Sequence, residues 1–172
     1  MLVVGDRASG RQRDGDQERP RLFTPPTRRG RDLRGSHLGL AEEDRGDAED
    51  VALMTRFHLN MVQFYDWSSC HDHPIPETGI YTDPMGRRLC RGAVEEKIAA
   101  CRARGMKALA YAPVYAAGPD FYRLHRDWAL YDAAGNPYHL GGLFFIMNPD
   151  RHCPWHDHIL AQYRRIVGEM GF

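Results

Sequence analysis

The feature that most constrains this chain is one strand–helix–strand unit, Met61 to Ala112, whose two connections are very unequal. Met61-Val62-Gln63-Phe64-Tyr65-Asp66-Trp67 is β-branched and aromatic, the composition of a buried strand. A proline-containing loop follows, from Ser68 to about Gly86. Arg91 to Arg104 then sets Val94, Ile98 and Cys101 at i, i+4 and i+7, the inner stripe of a helix, and Gly105 stops it. The second strand, Met106-Lys107-Ala108-Leu109-Ala110-Tyr111-Ala112, starts directly after that single glycine. Strands joined through a helix run parallel with a right-handed crossover. A long loop after the strand and a short return after the helix is the asymmetry of barrel enzymes, whose function sits at the C-terminal ends of the strands.

The flanking segments extend the alternation. Ala48 to Phe57 reads as a short amphipathic helix with Val51, Met54 and Phe57 inside, and Glu49 and Asp50 at the favourable end of its dipole. Beyond a loop with Gly118-Pro119, Trp128 to Leu140 reads as a small hairpin turning at Ala133-Ala134-Gly135-Asn136-Pro137. Leu143-Phe144-Phe145-Ile146-Met147 is a third apolar strand, closed by Asn148-Pro149. Pro154 opens a last helix with Ile159, Tyr163, Val167 and Met170 on its inner face, and Gly171 ends it. Alternating elements imply an α/β fold with a parallel sheet. The expectation is a partial (β/α)8 (TIM) barrel of about three βα units, since a complete one needs roughly 250 residues.

Apolar and charged residues are unevenly shared. Phe23 is the one aromatic among residues 1–50, and the other seventeen lie beyond it. Residues 1–35 hold nine arginines against five acids, with almost no apolar periodicity. Such a segment lacks the apolar surface that offsets ordering entropy. Residues 1–45 are therefore expected to be a disordered basic and polar arm, or a wrongly assigned start, and 46–172 the folded part. Arg29, Arg31 and Arg34 suit phosphate contacts, but acids are mixed through and no aromatics interleave for base stacking, so no nucleic-acid partner is expected. Over the whole chain 23 basic and 23 acidic side chains cancel. No apolar run approaches the roughly 20 residues of a membrane span. No signal-peptide core of about 7–15 apolar residues follows Met-Leu-Val-Val.

The strand ends carry the candidate chemistry. Tyr65-Asp66-Trp67 closes the first strand, Tyr111 to Tyr115 the second, and Asn148 and Asp150 follow the third. A carboxylate beside an indole, with tyrosines and an amide nearby, suits a carbohydrate: aromatic faces cover the C–H side of a pyranose while polar groups bond its hydroxyls. The alternative is that Phe64 and Trp67 are core, with Asp66 a loop hydrogen-bonder. Five of the nine histidines fall in His71-Asp72-His73 and His152-Cys153-Pro154-Trp155-His156-Asp157-His158. Imidazole and thiolate suit zinc, but this spacing matches no recognised ligand set. His156 and His158 point about 200° apart on a helix, so no metal or other cofactor is expected. The four cysteines, Cys70, Cys90, Cys101 and Cys153, form no CxxC pair, and disulfides are not expected. Phosphate-loop, dinucleotide and Gly-x-Ser-x-Gly signatures are absent, and Asp66 is the one acid that clearly closes a strand.

Several runs resemble a known family. They are Phe57-His58-Leu59-Asn60-Met61-Val62-Gln63-Phe64-Tyr65-Asp66-Trp67 with His71, His73 and Pro74; Asp83-Pro84-Met85-Gly86-Arg87; and Gly105-Met106-Lys107-Ala108-Leu109-Ala110-Tyr111. Further along come Val114-Tyr115-Ala116-Ala117, Trp128-Ala129-Leu130-Tyr131-Asp132, and Met147-Asn148 with Trp155-His156-Asp157-His158-Ile159-Leu160. Together, over roughly residues 47–172, they resemble glycoside hydrolase family 66, the dextranases and cycloisomaltooligosaccharide glucanotransferases. The Gln-Phe-Tyr-Asp-Trp run is the most specific of these. The resemblance implies a (β/α)8 catalytic barrel acting on α-1,6-glucans with retention, through an aspartate nucleophile and a glutamate acid/base. It places both of those beyond Phe172. It implies no catalytic residue in this chain, and a substrate-binding set of Tyr65, Asp66, Trp67, His71, His73 and Tyr115. An oligo- or polysaccharide is the expected partner, and the isolated chain is expected to be inactive. Family members are often exported; without a visible signal, localisation stays open between export and the cytoplasm. A non-catalytic carbohydrate-binding protein is the alternative, and a metal-dependent enzyme using the histidines a weaker one.

Overall fold

β2 (Met61–Phe64) pairs in parallel with β5 (Lys107–Ala110), in a register that sets Met61 opposite Lys107 and Phe64 opposite Ala110. The computed structural model describes residues 38–65 and 67–172, together with the backbone of Leu22–Phe23. Between these two strands runs α2 (Arg91–Ala103), whose Val94, Ile98 and Cys101 are buried as the spacing predicts. Its end is a Schellman cap. Gly105 sits at φ +70°, its N–H donates to Arg102 O (3.0 Å), and the Met106 N–H donates to Cys101 O (2.9 Å).

The expected short helix is α1 (Glu49–Arg56), with Val51 and Met54 inside; Phe57 lies just past its end and is exposed. Between α1 and α2 lies an ion pair of the buried Lys97 Nζ with the half-buried Asp50 Oδ2 at 2.6 Å. Together α1, α2, β2 and β5 enclose one core that includes Val62, Phe64, Trp67, Leu89, Met106 and Ala108.

Several elements differ from the sequence reading. The N-terminal part contributes more than an arm. β1 (Leu22–Phe23) pairs in parallel with β2, giving the sheet order β1-β2-β5, and Leu38 and Leu40 are core residues. Leu40 O accepts from the Cys90 N–H at 2.8 Å. Composition averaged over fifty residues hides two leucines two positions apart, and two are enough to anchor a segment. The rest of residues 1–37, including Arg29, Arg31 and Arg34, lies outside the described residues.

The loop after β2 contains a hairpin, β3 (Ile80–Thr82) with β4 (Arg88–Cys90). The Asp83-Pro84-Met85-Gly86-Arg87 run is its turn. Asp83 Oδ1 accepts from the N–H groups of Met85 and Arg87 (3.0 and 2.8 Å), and the Arg87 guanidinium pairs with Oδ2. That motif therefore builds a turn rather than a ligand site.

The third apolar strand is not a third parallel strand. β8 (Phe144–Ile146) pairs antiparallel with β6 (Ala116–Ala117) and β7 (His139–Leu140), in a separate sheet of order β6-β8-β7. Gly141 and Gly142 lie at φ +58° and +74° and turn the chain straight back, and a tight turn can join only antiparallel neighbours. The turn at residues 132–136 is present, held by the Asp132 carboxylate on the Ala134 and Asn136 N–H groups.

Gly118-Pro119 opens α3 (Pro119–Leu124), with proline at the first helical position. Pro154 opens α4 (Pro154–Arg165) in the same way. A π-helical turn, Ile166–Met170, continues α4, and Gly171 at φ +80° ends it. Ile166 rather than Val167 completes the inner stripe, since i+7 lies closer to Ile159 in phase than i+8, and Val167 is exposed. Phe121, Ala129, Met147, Trp155 and Ile159 form a second, smaller core beneath β6 and β8. No helix among the described residues is long and apolar enough to cross a membrane.

Candidate functional site

The in-register pairing of β2 and β5 builds the site. Phe64 opposes Ala110, so the next residue on each strand, Tyr65 and Tyr111, leaves the sheet beside the other. Their ring centroids are 4.4 Å apart, and the Tyr111 N–H donates to Phe64 O at 3.0 Å. The Tyr111 hydroxyl also meets those of Tyr115 and Tyr65. Burial, followed by these two phenols, pushes the Tyr111 phenol well above its ordinary range, so it stays protonated and able to donate. Tyr65 and Tyr115 are 39% and 38% exposed, open to a ligand.

From the loop after β2, His71 faces Tyr111 at 6.5 Å between centroids and stacks flat on Phe144, 4.2 Å away and 7° from parallel. The antiparallel sheet positions that ring, because the Met147 N–H donates to Tyr115 O at 2.8 Å and ties β8 to the end of the second parallel strand. The outcome is a mouth of three phenols, one imidazole and one phenyl ring. Such a surface pairs flat apolar faces with hydroxyl donors and acceptors, as a pyranose requires.

The remaining candidate residues are placed differently. Trp67 has 0% exposure. Its indole N–H donates to Tyr111 O at 2.9 Å, its carbonyl accepts from the Tyr81 hydroxyl, and its ring lies 4.9 Å from Phe172. It is a core residue with no face for a ligand, which corrects its reading as a sugar platform. Asp66 lies outside the described residues. His73 points away from the mouth, toward Phe121 (5.9 Å) and His158 (5.1 Å). Asp72 is buried between the two histidines, and its Oδ1 accepts from the Gly118 N–H at 2.7 Å. Asn148 and Asp150 close local turns through the Asp150 and His152 N–H groups. Tyr111 and Phe144 are the mouth residues missing from the sequence-based set. The aligned strand ends mark Tyr111, whereas Phe144 comes from the other sheet and only tertiary contacts reveal it.

The histidines do not converge. His152 accepts from Arg151, His156 sits beside Asp157, and His158 Nε2 donates to Asp72 O at 2.8 Å. Burial, then the neighbouring His73 and His125, holds the His158 imidazole below its ordinary value, partly opposed by Asp72. Among the described residues, one ligand-type group does come together: Cys70, Asp72 and His73.

The family model described as "Glycosyl hydrolase family 66" matches residues 39–172. A cycloisomaltooligosaccharide glucanotransferase of Niallia circulans is 26% identical over 129 residues, 67% of this chain and 13% of that protein. The chain thus spans about an eighth of the length of that relative. The structure is similar to a Paenibacillus sp. cycloisomaltooligosaccharide glucanotransferase complexed with cycloisomaltoheptaose, with TM-score 0.67 and 22% identity over 89% of this chain and 22% of that one. It is also similar to the α-galactosidase from Lactobacillus brevis, with TM-score 0.59 and 16% identity over 91% of this chain and 20% of that one. At those identities the solved structures speak to fold alone. The family match spans the whole β2-α2-β5 unit and the β6-β8-β7 sheet, and on that ground the chain belongs to glycosyl hydrolase family 66.

Proposed function

We propose that the mouth at the ends of β2 and β5 lines part of a glucan-binding cleft in a retaining enzyme acting on α-1,6-linked glucan. In this reading β1, β2 and β5 are three neighbouring staves of a (β/α)8 barrel. The observation that carries it is the gathering of the Tyr65, Tyr111 and Tyr115 hydroxyls at the C-terminal ends of parallel strands, where barrel enzymes place their substrates. The glucanotransferase name shared by the relatives supports an α-1,6-glucosyl ligand.

Retention needs two carboxyl groups roughly 5–5.5 Å apart. Asp72 and Asp150, which lie in the loops after β2 and β8, already accept from the Gly118 and His152 N–H groups. By the family resemblance the catalytic acids are supplied by sequence other than these 172 residues. The chain by itself is therefore expected to bind without turnover.

Titrating isomaltooligosaccharides into the folded 172-residue chain, followed by NMR, tests the binding. Tyr115→Phe should weaken affinity by about 2–10-fold, the value of one hydrogen bond, and dextran should release no reducing sugar. Absence of binding, equal binding of α-1,4-linked oligosaccharides, or clear turnover would each refute the proposal.

A further inference from the structure

The loop after β2 turns His71 toward Tyr111 and Phe144 but His73 toward Phe121 and His158, where it meets Cys70 and Asp72. Cys70, Asp72 and His73 bring one ligand atom each to within 4.8 Å of one another. Cys70 Sγ is 3.6 Å from Asp72 Oδ2, and His73 Nδ1 is 2.9 Å from the same oxygen. We propose that Cys70 Sγ, Asp72 Oδ2 and His73 Nδ1 bind one borderline divalent cation of the zinc type, leaving a fourth position open to solvent.

The donor set selects the ion. One sulfur, one imidazole and one carboxylate suit zinc and cobalt, whereas magnesium and calcium prefer oxygen throughout. The spacing of the two pairs made with Asp72 fits as well. A tetrahedral zinc ion with bonds of about 2.0–2.3 Å separates its ligands by roughly 3.3–3.8 Å. The Cys70–Asp72 pair already has that separation. The Asp72–His73 pair needs to open by a few tenths of an ångström, which a small rotation of His73, 52% exposed, supplies.

The frame around the three ligands is built before any ion arrives. Asp72 is 6% exposed, and the Gly118 N–H on Oδ1 leaves Oδ2 aimed at Cys70 and His73. The Asp72 carbonyl is held by His158. Ser69 closes the loop, donating from N to Pro74 O at 3.0 Å and from Oγ to His73 O at 2.6 Å. Bonds of this kind orient the coordinating side chains in known metal sites. Without the ion, burial and then Asp72 push the Cys70 thiol up to about 12. The cation takes the place of the Sγ proton, which passes to solvent as the metal–sulfur bond forms. It also takes the place of the Nδ1 proton that His73 shares with Asp72, which is released to solvent while His73 takes a proton at Nε2, leaving the imidazole neutral. Because Cys70 and Asp72 flank His71, the bound ion would also clamp the imidazole that stacks on Phe144.

Chelator-treated 172-residue chain titrated with Co2+ alone tests this without reference to sugar binding. One equivalent should produce a near-UV thiolate-to-cobalt charge-transfer band with intense visible bands of tetrahedral cobalt, and Zn2+ should displace both. Cys70→Ser should abolish the charge-transfer band. His73→Asn should weaken Co2+ binding at least roughly 100-fold, and Cys153→Ser should change nothing, with circular dichroism confirming the fold of each variant. Failure of the band at one equivalent overturns the proposal, as does its survival in Cys70→Ser or its loss in Cys153→Ser. Visible bands without charge transfer overturn it too, because they mean cobalt on exposed histidines. If Cys70→Ser does not fold, the solvent-facing His73→Asn decides, and unchanged affinity there refutes the site.

Discussion

Replacing Trp67 with phenylalanine separates a core role from a sugar-contacting one. The indole is fully buried, donates to Tyr111 O at 2.9 Å and packs on Phe172. Phenylalanine keeps an aromatic ring but leaves that carbonyl without its donor, at about 1 kcal/mol. The ring atoms lost beside Phe172 add about 1–2 kcal/mol of transfer and cavity terms. The sum, about 2–3 kcal/mol, lowers Tm by roughly 6–12 °C for a folded unit of this size. Trp67→Ala, which empties the pocket, costs about 3–5 kcal/mol. Urea unfolding followed by circular dichroism should show the midpoint falling at constant slope. A tryptophan on a ligand surface would behave otherwise, with stability within about 0.5 kcal/mol of wild type and oligosaccharide affinity lost. A Tm within about 2 °C of wild type would refute the core assignment.

Three further outcomes follow from the packing. Asp50→Ala strands the buried Lys97 ammonium and should cost about 3 kcal/mol in urea unfolding, whereas Lys97→Met, which removes the charge, should stay within about 1 kcal/mol of wild type. Gly105→Ala should cost about 1 kcal/mol in the same assay. A Cβ there meets nothing within 4 Å, so the cost is that of the positive φ alone. The Glu96 carboxyl is held below its ordinary value by the Gly46 N–H and then by Arg45. Its contribution is therefore complete above the unfolded carboxyl value of about 4.3 and disappears as pH falls through the lower folded one. The stability gap between wild type and Glu96→Gln should close over that acid limb in denaturant midpoints measured against pH.

The β2-α2-β5 unit was legible in the sequence because its signals are local. Val94, Ile98 and Cys101 fall on one helical stripe, Gly105 supplies the left-handed residue its cap demands, and alternation in Met61–Phe64 points Val62 and Phe64 inward. Pro119 carried the same signal as Pro154, yet the helix it opens is only six residues long, too short for periodicity to show. Residues 143–147 illustrate the opposite limit. An apolar run states that a strand is buried, not which strand it joins. The Gly141-Gly142 turn, acting through the backbone, made that choice.

The site divides in the same way. That Tyr65 and Tyr111 sit at strand ends follows from composition and periodicity alone, whereas the sugar-active family enters through the resemblance of runs such as Gln-Phe-Tyr-Asp-Trp and is shown by the family match over residues 39–172. Which of these side chains meet one another is a matter of register and of long-range contacts. Parallel pairing set Tyr65 beside Tyr111, and the second sheet brought Phe144 onto His71. Trp67, identical in kind to a sugar platform when read as a letter, was drawn inward by Phe172 and the Tyr111 carbonyl. Residue type sets what a side chain can do, and only the packing around it sets whether solvent or a ligand can reach it.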